Sequence, residues 1–147
     1  MANILNKDVQ SAIMSTLFLT PTSFAPSHLY LGLTTALKES SWATFDVSNF
    51  SEPLAARNYS RQQVDPGSAN WQKTYNVLSG VTTVSNVNTI TFPIVQVEDW
   101  GYITGWVLFD AATNGNPICF GLWDVPQQMN VTMTMTIDPN SIRILLS

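Results

Sequence analysis

The sequence predicts a mainly β protein, an antiparallel β-sandwich with a jelly roll as one version of it, covered by one N-terminal α-helix. Short β-type runs separated by turn residues fill the second half of the chain. The connection Asp110–Pro117 contains Asn114-Gly115, a pair that favours a tight hairpin. The chain has 147 residues, and no linker or repeat divides it. We therefore expect one domain over residues 1–147.

Only the start of the chain has helical periodicity. Val9, Ile13 and Leu17 repeat every four residues and form an apolar stripe. Pro21 ends the pattern because the residue before a proline is disfavoured in helical conformation. The pattern predicts one amphipathic helix at about residues 6–19, packed on a sheet or an open sheet edge.

Strand patterns begin after this helix. The run Leu29–Thr34 is apolar enough to be a central strand, buried on both faces. The following stretch, 35–66, mixes turn residues with isolated aromatic residues, which is typical of long loops. We expect one strand within it, at about Tyr59–Val64.

The second half of the chain contains six short β-type runs. They are Val81–Val84, Thr89–Phe92, Tyr102–Phe109, Ile118–Trp123, Val131–Ile137 and Ile142–Leu145. Val131–Ile137 alternates strictly between apolar residues and threonine, which predicts a half-buried strand. Asp138-Pro139-Asn140 predicts a tight turn.

The strands Tyr102–Phe109 and Ile118–Trp123 should be the structural centre, because they are the most apolar pair and a short hairpin joins them. Alternation places Trp106 with Leu108 on one face and Val107 with Phe109 on the other. Both faces are apolar, so this hairpin must be covered by the helix, another sheet or a neighbouring subunit. Trp106, Phe109 and Trp123 are the candidate core residues or interface anchors.

The charge composition excludes several function classes. Six Lys and Arg against ten Asp and Glu give a net charge of -4, and charged residues form only 11% of the chain. A basic patch for nucleic acid or acidic lipid is not expected, and no run reaches the roughly 18 apolar residues of a membrane helix. A surface so poor in charge loses its water readily, which favours contacts with other proteins.

No residue pattern predicts catalysis. His28 is the only histidine, so a catalytic triad would depend on it alone, in a turn. Cys119 lies in a predicted strand without a cationic neighbour, which predicts an inert thiol. Glu98-Asp99 would point to opposite faces if it were in a strand, so it does not form a glycosidase pair. We expect no enzyme activity, no cofactor and no metal site.

Three of the five tryptophans lie outside the most apolar strands. Trp42, Trp71 and Trp100 occur in predicted loops, where an exposed indole can stack on a sugar or anchor a protein interface. These three residues are the candidate interface or sugar-stacking positions.

Several short motifs occur in the order found in one protein family. They are Leu29–Ala36, Asn58–Gln62, Ile90–Pro93, Trp100–Thr104 and Leu108–Asn116. The chain resembles the small structural proteins of tailed bacteriophages, of the tail-fibre or minor virion type. Two positions differ: Asn58 stands where the family usually has glycine, and Gly105-Trp106-Val107 replaces a His-aromatic-Gly stretch.

The resemblance implies a structural component of a phage virion, attached to the tail or to the capsid surface. Its expected partners are further copies of itself, with a trimer as the expected state, and other virion proteins. It would be assembled in the host cytoplasm and reside in the virion. The alternative is a receptor- or glycan-binding tip domain of the tail, which would use the loop tryptophans.

Overall fold

The structure, a computed structural model, describes residues 26–38 and 45–146 and the backbone of Asn3–Leu5. It also describes the five positions Val9, Ser11, Ile13, Phe18 and Leu19. The described residues are mainly antiparallel β-structure, as the sequence predicts. The strands are β1 (Asn3–Leu5), β2 (Tyr30–Thr34), β3 (Ala36–Leu37), β4 (Phe50–Ser51), β5 (Gln62–Gln63), β6 (Trp71–Asn76), β7 (Val81–Asn86), β8 (Ile90–Thr91), β9 (Gly101–Phe109), β10 (Pro117–Met129), β11 (Thr136–Ile137) and β12 (Arg143–Leu146). Two short 3-10 helices, Val47–Asn49 and Ala55–Arg57, precede and follow β4.

The strands form one larger sheet and three smaller ones. The larger sheet has the order β1-β10-β9-β2-β5, and a three-stranded sheet has the order β12-β7-β6. Two pairs, β11-β8 and β3-β4, complete the set. The predicted central strand is confirmed, since β2 pairs with β9 on one side and β5 on the other.

The two faces of β9 contact two separate apolar clusters. Trp106 and Leu108 belong to the main cluster, whereas Val107 and Phe109 belong to the second cluster, which confirms the predicted alternation. The buried residues of the main cluster are Leu31, Leu33, Tyr59, Val64, Ile90, Phe92, Val95, Trp100, Ile103, Trp106, Leu108, Cys119, Met129, Met135, Ile137 and Ile142. Those of the second cluster are Phe45, Phe50, Val107, Phe109 and Phe120. The hairpin at the predicted centre is therefore covered from both sides by the chain itself.

The ring of Trp106 is held by close packing against the neighbouring strand. Trp106 is 0% exposed and lies opposite Gly121 in the β9-β10 ladder. A Cβ atom added to Gly121 would lie 2.6 Å from the indole ring, so only glycine leaves room for it. The indole Nε1 has no hydrogen-bond partner among the described residues. Packing, not hydrogen bonding, positions this ring.

The connection between β9 and β10 is the hairpin that the sequence predicts. Asn114 and Gly115 have φ values of 52° and 70°, the left-handed conformation that asparagine and glycine tolerate. Asp110 fixes the loop, because its carboxylate accepts from the backbone and side-chain nitrogens of Asn116 at 2.7 and 2.9 Å. The tight turn at Asp138-Pro139-Asn140 is also present, closed by the Ser141 N–H donating to the Asp138 carbonyl.

The predicted strand Val131–Ile137 is wrong over most of its length. Only Thr136 and Ile137 form a regular ladder, with β8. Residues 131–132 form a turn, and Thr132 has a φ of 75°, outside the range of a strand. The alternation still decides burial in the second part of the run, because Met135 and Ile137 are buried while Thr136 is exposed.

Other strand bounds also differ from the sequence prediction. The strand expected at Tyr59–Val64 is limited to Gln62–Gln63, and β10 continues to Met129, well beyond Trp123. The sequence does not predict strand β6, because Lys73 interrupts the apolar alternation of Trp71 and Tyr75. The helix predicted at about residues 6–19 lies largely outside the described residues, and it stays a prediction.

The packing of Trp106 leads to a stability prediction. Trp106→Ala should lower the free energy of unfolding by about 3–5 kcal/mol, the usual cost of removing a large buried aromatic side chain. Tyr102→Ala, on the exposed part of the same strand, should change it by about 0.5 kcal/mol. Urea unfolding of the purified variants measures both values. Equal losses in the two variants would show that Trp106 is not part of the folding core.

Candidate functional site

A buried ion pair joins the loop after β4 to the segment before β5. The Arg61 side chain is 3% exposed and that of Glu52 is 20% exposed. Nε and Nη2 of Arg61 donate to Oε1 and Oε2 of Glu52 at 2.9 and 2.7 Å. This two-point geometry matches the planar guanidinium to the carboxylate, and pairs of this kind are the strong ones.

Tyr59 connects this ion pair to strand β2. Its hydroxyl accepts from the Leu33 N–H at 2.9 Å and donates to Oε1 of Glu52 at 2.7 Å. A Cβ atom on Gly32 would lie 2.7 Å from that carboxylate oxygen and 3.1 Å from the hydroxyl, so glycine leaves the space for both. Burial, reinforced by the charge of Glu52, raises the pKa of Tyr59 far above its usual range.

Arg61 also fixes the hairpin between β9 and β10. Its Nη1 atom donates to the carbonyl oxygens of Ala111 and Asn114, both at 2.8 Å. Its Cζ atom lies 3.4 Å from the centre of the Phe109 ring, in cation-π contact. One guanidinium therefore connects Glu52, two backbone carbonyl groups of the hairpin connection and the second cluster. We call Glu52, Tyr59 and Arg61, with their hydrogen bonds, the Arg61 network.

The backbone before this network explains one of the sequence differences noted above. Asn58 ends the 3-10 helix Ala55–Arg57 with a φ of 64°. Glycine adopts this conformation without strain, and asparagine is among the residues that tolerate it best. The Asn58 side chain in addition donates to the Ile94 carbonyl at 2.9 Å. The substitution keeps the turn that aims Tyr59 and Arg61 inward.

The residues considered for catalysis are not brought together. His28 is exposed and lies 3.1 Å from Asp65. Desolvation is the largest single influence on the Asp65 pKa and raises it, but hydrogen bonds from Gln63, His28 and the backbone together lower that pKa below its usual value. Cys119 is buried, and burial raises the pKa of its thiol to about 12, which leaves it protonated and inert. The Glu98 carboxylate pairs with Arg57 on the surface. Within the described residues no group of acidic, histidine or cysteine side chains could hold a metal ion.

The candidate tryptophans lie in different environments. Trp100 is 3% exposed, donates its Nε1 proton to the Arg57 carbonyl and meets the Tyr59 ring edge to face, so no face is open for a sugar. Trp71 is half-buried at the start of β6, and its Nε1 donates to the Val64 carbonyl. Trp42 lies outside the described residues. Trp106 is fully buried within the chain, and so is Phe109, whereas Trp123 is only partly buried.

The most exposed large apolar side chain among the described residues, Leu78, projects from the hairpin of β6 and β7. In its turn, Val77 is 79% and Leu78 is 95% exposed, and Tyr75 precedes them on β6. Asn76 fixes this turn, because its side-chain oxygen accepts from the N–H groups of Leu78 and Ser79 at 2.9 and 3.2 Å. Sequence reasoning missed this surface. The available signals were the period of two in Trp71, Lys73 and Tyr75 and the turn glycine Gly80.

Comparison with known protein families identifies the family of this chain. The family model described as Podophage GP4 fiber I protein gp80 matches residues 5–145, nearly the whole chain. The chain belongs to this family. The resemblance to tail-fibre proteins of tailed phages is thereby confirmed. No curated protein matches the chain.

Two of the segments that carried the resemblance meet in this chain through the Arg61 network. One is Asn58–Gln62, and the other is Leu108–Asn116, whose carbonyl groups accept from Arg61. Their shared role is structural, since they fix one end of the larger sheet. None of the helices in the part of the chain that the structure describes has the length and apolar character to cross a membrane.

The Arg61 network leads to a second stability prediction. Arg61→Met should lower the free energy of unfolding by about 3–5 kcal/mol, because it leaves a largely buried carboxylate without its counter-ion. Arg57→Met is the matched control, since the Arg57-Glu98 pair is far more exposed and should contribute about 1 kcal/mol or less. Denaturant titration at neutral pH measures both, and a small effect of Arg61→Met would contradict a stabilising role of the network.

Tyr59 should make the protein labile at high pH. Folded Tyr59 keeps its proton at pH values where the unfolded residue loses it, so unfolding releases a proton and stability falls as pH rises. Above about pH 10 this contribution should reach about 1.4 kcal/mol per pH unit. Tyr59→Phe should be less stable at pH 8 and should lose this part of the slope. Urea unfolding of both proteins between pH 8 and 11 tests this, and identical slopes would refute it.

Proposed function

We propose that this chain is a structural subunit of a phage tail fibre that works through protein-protein interfaces and has no catalytic role. Its functional unit is a homo-oligomer, with a trimer as the expected state, bound to other virion proteins. The antiparallel sheets would enclose the main cluster as a sandwich. Family membership over residues 5–145 supports this role.

The observation that carries the proposal is the exposure of large apolar side chains on ordered β-structure. Tyr75, Leu78, Tyr102 and Val125 are each more than half exposed. Side chains of this size and exposure on a charge-poor surface mark a site of association when they occur in groups. Fibre subunits need such surfaces, since a fibre is built from contacts between copies.

The Arg61 network suits a rigid structural subunit, because it holds one hairpin in a fixed position relative to the rest of the chain. It fixes the connection Asp110–Pro117 to two other parts of the chain by partly buried, charge-assisted hydrogen bonds. A hairpin held in this way presents its edge at a constant angle to a neighbour. The subunit would be assembled in the host cytoplasm and incorporated into the virion, at the tail in preference to the capsid surface.

A glycan-binding role is the second candidate, and one groove favours it. Its walls carry the side chains of Gln62, Gln63, Asn70, Asn88 and Thr89. Neutral amide and hydroxyl groups suit the hydroxyl groups of sugars, and the half-buried Trp71 follows Asn70 in the chain. Trp42 would be a further stacking residue in this version.

We expect the purified protein to be an oligomer at micromolar concentration by multi-angle light scattering. We also expect peptides of the chain in mass spectra of purified particles and its density at the tail in electron micrographs. A stable monomer that is absent from particles would overturn the proposal. Binding on a glycan array that is lost in Trp71→Ala would favour the second candidate instead.

A further inference from the structure

We propose that the hairpin of β6 and β7 from one copy docks into a groove formed by β10 and β11 of a neighbouring copy. This inference rests on the proposed homo-oligomer and specifies its interface. The groove is therefore occupied by the segment Trp71–Asn86 of a second copy, which enters the groove with its turn first.

The hairpin has the shape and order needed for insertion. Strand β6 is an edge strand whose residues after Trp71 are all exposed, so its outer backbone groups have no strand partner among the described residues. The turn presents Val77 and Leu78 at its tip. Asn76 holds the turn by two hydrogen bonds, and Gly80 closes it at a φ of 69°. The turn should therefore lose little conformational entropy on binding.

The groove is lined in part by apolar residues. It has a volume of about 350 Å³, and its lining includes Trp123, Val125, Met135 and Ile137. Met135 and Ile137 are buried in the floor, while Val125 is 66% exposed on the wall. The volume lies in the range of pockets that bury compact apolar groups, about 300–1,000 Å³. The side chains of Val77 and Leu78 are groups of this kind.

The charges of the two surfaces are complementary. The hairpin carries Lys73 and no carboxylate. The groove contains Asp138, which is exposed, and no basic residue. Opposite signs across an interface orient the partners and disfavour wrong pairings. A hairpin meeting a second hairpin would instead bring Lys73 of one copy toward Lys73 of the other.

The interface joins two different patches, which has a consequence for assembly. A contact between unlike patches is repeated by every copy, so it produces a ring if the rotation closes and a filament if it does not. A closed ring of three copies would give the trimer proposed above. A ring of two copies, in which each hairpin enters the groove of the other copy, also satisfies the contact, so the largest crosslinked species reports the number of copies in the ring.

Disulfide trapping tests the contact directly. The full-length double variant Leu78→Cys/Val125→Cys should form covalent oligomers larger than a dimer under mild oxidation, as seen on a non-reducing gel. The single variants Leu78→Cys and Val125→Cys should remain uncrosslinked, because each supplies only one side of the contact. The native Cys119 is 1% exposed and does not interfere. Crosslinking of Leu78→Cys alone would show a contact between two hairpins and would overturn the proposal.

Placing a charge at Leu78 distinguishes the docking contact from oligomer formation in general. Leu78→Asp should shift the wild-type oligomer toward monomer by at least tenfold in dissociation constant, measured by analytical ultracentrifugation. Val97→Asp is the control, since Val97 is 78% exposed and lies outside the hairpin and the groove. An oligomer that survives Leu78→Asp overturns the docking proposal alone. A wild-type protein that is monomeric overturns the homo-oligomer itself.

Discussion

The burial of strand β9 on both faces is the constraint on which the rest of the structure depends. Trp106 and Leu108 need one apolar cluster, and Val107 and Phe109 need another. A single sheet with one wet face cannot satisfy both. The segment between β3 and β5 therefore supplies Phe45 and, from β4, Phe50 to the second cluster, while the smaller sheets close the main one. Stretches that resemble irregular loops in the sequence thus become part of the core.

The Arg61 network shows how a chain with few charges uses the ones it has. Arg61 is almost fully buried, which is expensive unless each of its donors finds an acceptor. Here its donors reach a carboxylate and two backbone carbonyl groups, and its plane covers the Phe109 ring. Replacing such a group by an apolar residue would leave polar partners behind. The network therefore gives specificity to one arrangement of loop and hairpin, beyond what apolar packing supplies.

The surface differs from the interior in that some of its apolar side chains are left exposed. A fibre subunit must be stable as a fold and must also keep apolar groups available for its neighbours. The β6-β7 hairpin meets both needs, because its strands carry mostly neutral polar residues and its turn exposes Val77 and Leu78. Lys73 is the one charged residue of that hairpin, and a charge on an edge strand limits uncontrolled strand pairing. The apolar tip can then be reserved for one complementary groove.

The sequence by itself determined the elements whose signals are local. Period-two burial in Trp106 to Phe109 and the left-handed turn at Asn114-Gly115 both follow from residue types at fixed spacing. It failed where distant parts of the chain decide: Thr132 turns although its neighbours alternate, and Trp100 lies in the core although its segment reads as a loop. The pairing of Glu52 with Arg61 and the exposure of Leu78 also have no local signature. Tertiary structure decided these features, because burial depends on which surfaces meet and not on the pattern of one segment.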